Sequence, residues 1–137
     1  MPESFNASVE SFVETSLLFY TAVLKQSAQD FGEDAQRPTG KGGRMRVDTA
    51  FLRNSHVSGL NGSTSMSGPD SYILTIAQMK LGDILMGGWT ADYAVHREFG
   101  ARGQAPDFFA RGAAQKWQTF VEKNAAKRTI QAKVPLT

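Results

Sequence analysis

A chain of 137 residues is long enough to bury a core of its own and short enough to form one domain, and its 41% apolar and 20% charged residues suit a folded globular protein rather than a disordered one. The absence of cysteine excludes a disulfide framework and any thiolate-ligated zinc or iron–sulfur site, while 15 basic against 13 acidic residues, a net charge of +2 and a pI near 9.0 permit contact with nucleic acid without the charge density of a DNA coat. No apolar run approaches the roughly 18 residues that span a bilayer, and Met1 to Phe5 lacks the basic start and apolar middle of a signal peptide, so the chain is expected in the cytoplasm, away from membranes.

Phe5, Val9, Phe12, Val13, Leu17, Tyr20, Leu24, Ala28 and Phe31 recur at steps of three and four, which predicts a long helix over about 4–31, opened at Pro2 or Asn6 and closed at Gly32. Two readings of its length and apolar stripe stand side by side: part of it packs on neighbouring subunits, or Leu18, Phe19 and Val23 widen the stripe into a core face. Residues 33–46 form a polar, glycine-rich loop broken by Pro38, in which Lys41, Arg44 and Arg46 are either solvated or available to DNA phosphates. The lysine has no Ser or Thr after it and no apolar strand before it, so this is not a P-loop.

Asp48 and Thr49 can cap a short turn through Phe51 to Arg53. A sheet is expected over about 52–90, with an edge strand at Ser55 to Ser58, a turn-rich connection from Asn61 to Asp70, a central strand in Ser71 to Lys80 and a third strand from Ile84 to Thr90. Gly87 and Gly88 in that third strand point to a bulge or a close backbone approach. Ala91 to Phe99 reads as a short helix or an irregular crossing, followed by a glycine-bearing loop with Arg102. Pro106 and Asp107 mark the start of a C-terminal helix over about 106–128, with Phe109, Ala113, Trp117, Phe120 and Val121 on one face and a short tail after it. The whole is one α+β domain, a small antiparallel β-sheet packed against a long N-terminal helix and a C-terminal helix.

Catalytic patterns are missing. His56 and His96 lie forty positions apart without the spacing that puts two imidazoles on one helical face, and His96 with Glu98 lacks a recognisable acid–base setting. The serines at 63, 65, 67 and 71 sit in turn sequence rather than at a strand-to-helix elbow. Phe108, Phe109 and Trp117 have the spacing of an aromatic platform for bases, but the same spacing is the ordinary one for a core.

Two segments carry a resemblance. Arg46 to Ser55, RVDTAFLRNS, is similar to a phrase in the neck and tail-completion proteins of long-tailed phages: Asp48, Thr49, a small residue, then Leu52, Arg53 and Ser55 leading into a strand. Tyr93 to Gly100, YAVHREFG, with Ala105, Pro106, Phe108, Arg111 and Ala113 after it, resembles that family's Tyr-Ala, acidic-aromatic-Gly and Ala-x-Pro-Phe series, carried here by Tyr93, Glu98, Phe99, Gly100, Pro106 and Phe108. Together they fall in the order and spacing that the family shows. Ala50 stands where a glycine is common, and the 61–70 loop is serine-rich where relatives vary. The resemblance implies a structural virion protein of the neck or tail, assembled in the host cytoplasm. It would be a homo-oligomeric ring, commonly a hexamer, between the tail terminator or tail tube protein and the head-closure or connector proteins. No catalytic residue, metal or cofactor is implied. Lys41, Arg44, Arg46 and Arg102 would be its candidates for non-specific DNA contact in the channel, and a small basic nucleic-acid-binding module is the alternative.

Overall fold

A computed structural model describes residues 2–46, 51–100, 103 and 105–133. It is an α+β domain in which a three-stranded antiparallel sheet packs against helices, as the element pattern implied. Helix α1 runs from Pro2–Gln36, 35 residues and therefore about 52 Å at about 1.5 Å per residue. It passes through Gly32 instead of ending there. The ring of Tyr72 lies against that position so closely that a Cβ would stand 2.5 Å from the Tyr72 Cδ2, so the glycine serves a close approach and not a cap. The helix stops where Pro38 follows Arg37, because the residue before a proline is pushed out of helical backbone.

The glycine-rich segment that follows is folded. A 3-10 turn at Thr39–Lys41 is closed by Thr39 N–H on the Met45 carbonyl (3.0 Å) and Gly43 N–H on the Pro38 carbonyl (3.0 Å), and Met45 is fully buried. Helix α2 is Phe51–Asn54; strand β1, His56–Leu60, is the central strand and not an edge. It is flanked by β2, Met66–Ser67, and by β3, Leu85–Trp89, both antiparallel, with His56 opposite Trp89 and Leu60 opposite Leu85. No residue bulges out of the β1–β3 register, and neither glycine serves a close approach: a Cβ on Gly87 would meet the His56 ring at an ordinary contact of 3.4 Å, and one on Gly88 would meet open space.

The expected central strand at Ser71 to Lys80 is a helix. Helix α3, Ser71–Gln78, buries Tyr72, Thr75 and Ile76, and Met79 just beyond it, a spacing of three, four and seven that fits one helical face against β1. Helix α4 is Ala94–Phe99. The C-terminal helix is two helices, α5 at Phe109–Gln115 and α6 at Trp117–Lys133, separated at Lys116, so it starts later than Pro106 and continues through much of the expected tail. Helix α6 runs antiparallel along the second half of α1: Trp117 meets Phe31 edge to face, the Lys123 ammonium is 3.5 Å from Asp30, and buried Asn124 donates to Ser27 Oγ (3.1 Å) and Asp30 (2.9 Å).

Two apolar clusters form the core. Ala28, Tyr72, Ile76 and Met79 join α1 to α3, with Leu60 and Leu85 of the sheet packed on them; Met45, Leu52, Ala91 and Phe109 form the other, with Trp89, Tyr93, Ala94 and Ala110 around it. Between them sits Gln36, buried, whose amide donates to the Arg53 and Pro69 carbonyls and accepts from the Trp89 indole at 2.7 Å. Every polar group of that side chain is thus used to lock the end of α1 to α2, to the turn before α3 and to β3.

Candidate functional site

The second of the two motif segments folds into one compact junction between α4 and α5. Glu98, buried, accepts from the backbone N–H groups of Ala110 (2.9 Å) and Arg111 (2.8 Å), so its carboxylate caps the first turn of α5 where N–H groups lack intrahelical partners. The Arg111 guanidinium bonds the same carboxylate at 3.0 Å and lies over the rings of Phe99 (4.1 Å) and Phe108 (4.6 Å). Phe108 has left-handed backbone, φ 59°, which turns the chain sharply into α5. Gly100 ends α4 at φ 83° with its N–H on the His96 carbonyl, while Pro106 is exposed. Asp107 does not cap the helix: it is buried, and its carboxylate takes the backbone N–H and the guanidinium of Arg46.

The first motif segment packs on the second. Leu52 shares a core cluster with Tyr93 and Phe109, Phe51 stacks obliquely on Tyr93 at 6.0 Å, and Arg97 lies over the Tyr93 ring at 5.6 Å. Arg53 donates from Nε to the Gln36 carbonyl at the end of α1 (3.0 Å), and the Ser55 carbonyl accepts from the Thr90 N–H. Asp48, Thr49 and Arg102 lie outside the described residues.

Of the other three cations considered for DNA, Lys41 is exposed on its 3-10 turn. Arg44 and Arg46 are engaged: Arg44 bonds Asp34 at 2.5 Å and Arg46 holds Asp107. Burial pushes the Asp34 carboxyl up, but the hydrogen bonds and charges of Arg44 and Lys116 outweigh it and hold it below the usual carboxylate range. These ion pairs fasten the loop to α1 and to the α4–α5 junction.

His56 is a core residue. Its Nδ1 meets Ser71 Oγ at 2.9 Å, and the hydroxyls continue through Ser58 (3.3 Å) to Thr75 (2.7 Å from Ser58), closing on the Ser71 carbonyl; burial lowers its pKa to about 4. The imidazole is therefore neutral at pH 7, and the chain of hydroxyls bolts α3 to β1. His96, by contrast, is exposed. Among the described residues no group of His, Asp and Glu could hold a metal ion, and no helix is long and apolar enough to cross a membrane. Of the aromatic trio, Phe109 is buried core, whereas Phe108 and Trp117 are half-buried.

The most unusual surface lies on α1. Its second half is covered, but from Ser8 to Tyr20 no residue is buried, and Val9, Phe12, Val13, Leu17, Leu18 and Tyr20 are all exposed, Phe12 and Leu18 to 72%. Covering each such side chain contributes on the order of 1–2 kcal/mol, so a strip of Val9, Phe12, Val13, Leu17 and Tyr20 on one helix face, with Leu18 beside it, is far more than scattered surface apolar residues. The strip continues toward the body into an apolar groove of about 320 Å³ formed by α1, the α3–β3 turn and the start of α6, with Leu24, Phe31, Met79, Leu81, Leu85 and Trp117 in its walls.

The helical period of the strip was plain in the sequence; the roles of Gln36, Asp34, Asn124 and Asp107 were not. Each is a polar residue buried by partners 10 to 97 positions away; Asp34, Gln36 and Asn124 stand among apolar residues on helix faces, whereas Asp107 lies ahead of α5. No family model, curated protein or solved structure matches the chain.

Proposed function

We propose that the protein is a structural component of a phage particle, a neck or tail-completion protein that forms a homo-oligomeric ring, of six copies on the family resemblance, where the tail meets the head. In this reading it joins the tail terminator or tail tube protein to the head-closure proteins and performs no catalysis. The observation that carries it is the apolar strip of α1, which is unpartnered within one copy and suits a chain that works in contact with others. The two motif segments support it from another side, because residues matched in separate parts of the sequence pack into one junction around Leu52, Tyr93, Glu98 and Phe108.

The alternative, a small basic nucleic-acid-binding module, has less support: Arg44 and Arg46 are already held by buried carboxylates, and their loss would loosen the fold before it touched DNA affinity. The test is the protein content of purified particles of the phage that encodes the chain. The reading predicts the protein in intact particles at a small fixed copy number, with tails and heads left unjoined when its gene is deleted. Particles that lack the protein and assemble normally without it would contradict it.

A further inference from the structure

The strip and the groove pose a question of pairing: both are apolar, both are open, and one copy offers each of them once. We infer that the first half of α1 of one copy seats in the groove beside the second half of α1 of the next copy, a head-to-tail contact that closes into a ring. This rests on the ring reading above and specifies its interface.

Charge selects this arrangement over the symmetric one. From Ser8 to Tyr20 the exposed stretch of α1 holds Glu10 and Glu14 and no Lys or Arg, so it is acidic. The groove and its rim hold a small net positive charge: Lys80 and Asp83 both line it and offset one another, and Lys25, whose ammonium bonds the Ala77 carbonyl at 3.1 Å, adds a cation at the end of α3 that leads into it. The Asp83 carboxylate accepts from the Lys80 N–H (2.8 Å) and the Asn61 amide (3.1 Å), which fixes it at the α3–β3 turn without removing its charge. An antiparallel pairing of two α1 strips would bring Glu10 and Glu14 of both copies into one contact with no cation in either helix half. Geometry agrees with charge. The strip and the groove lie on one helix face and are displaced along it, so a contact between unlike surfaces leaves a free strip at one end and a free groove at the other, the heterologous contact from which a ring is built when the rotation between copies closes.

Because the chain has no cysteine, introduced thiols report the contact directly. Leu17→Cys on one chain and Leu81→Cys on a second, isotopically heavier chain are mixed and oxidised, and the linked peptides are read by mass spectrometry; both positions are exposed in one copy. The 17–81 link is expected to exceed the 17–17 link by at least tenfold. In parallel, Glu10→Lys with Glu14→Lys should raise the concentration at which oligomers dissociate by tenfold or more. Adding Lys25→Glu and Lys80→Glu to the same chain should restore it. Oligomers that link 17 to 17, or that are indifferent to both charge reversals, overturn this contact and leave the ring reading standing. A protein that stays monomeric and forms neither link overturns both.

Discussion

Glu98 and His56 are both ionisable and both buried, and each bears on stability through the partners that surround it. Glu98 is buried with its carboxyl oxygens accepting from two backbone N–H groups and from Arg111. Glu98→Ala removes those acceptors and leaves the first turn of α5 uncapped, so it should destabilise by about 2–4 kcal/mol in urea unfolding, while Glu98→Gln, which keeps an acceptor, should cost about half that. His56 is buried neutral, with a pKa near 4 against about 6.5 when unfolded. The unfolded chain therefore binds the proton more readily, and stability that is complete above pH 6.5 falls as the pH drops toward 4, by up to about 1.4 kcal/mol per pH unit. The Asp34 pairs, whose carboxyl titrates below its ordinary value of 3.8, add their loss only at still lower pH. Chemical unfolding at pH 7, 6, 5 and 4 should thus show a slope that His56→Gln flattens; an equal slope in the variant would show that another group is responsible.

At the scale of elements, the strongest patterns were legible and the competition between them was not. The three- and four-residue period from Phe5 to Phe31 located α1, and Ile84 to Thr90 located β3. Ser71 to Lys80 was misread as a strand because Tyr72, Ile73, Thr75 and Ile76 favour β structure locally; the face that is buried, Tyr72, Thr75, Ile76 and Met79, has helical spacing, and packing on β1 and α1 decided the matter. Gly32 looked like a helix end for the same reason, since nothing in the sequence reveals a tyrosine ring forty positions away. That contact sets up a competition with a predicted winner. Gly32→Ala gains roughly 1 kcal/mol of helix propensity but drives a methyl into the Tyr72 ring, and overpacking of a buried ring costs about 1–3 kcal/mol. The variant should be less stable than the parent by denaturant titration; a gain near 1 kcal/mol would mean that Tyr72 moves aside freely. The candidate site was legible in part: the motif residues Glu98, Phe99 and Phe108 do converge, but the arginine that binds them together was noted only as one more matched position, and two of the proposed DNA contacts are structural ion pairs.

For the whole molecule, the contrast between the two halves of α1 is the feature that the ring proposal rests on. Its second half is held by α3, α5 and α6, and its first half carries Phe12, Leu17 and Leu18 into solvent. Phe12→Asp with Leu17→Asp should therefore leave the stability of a single copy within about 0.5 kcal/mol of the parent, because those side chains touch little within it. The same pair should abolish association, because burying two carboxylates in an apolar contact is costly. Sedimentation velocity of the parent and of this double variant, over a wide range of concentrations, is the direct test. Discrete sedimentation of the parent as a closed oligomer, with the double variant a folded monomer throughout, is the predicted result; a parent that sediments as a monomer at every concentration would contradict it.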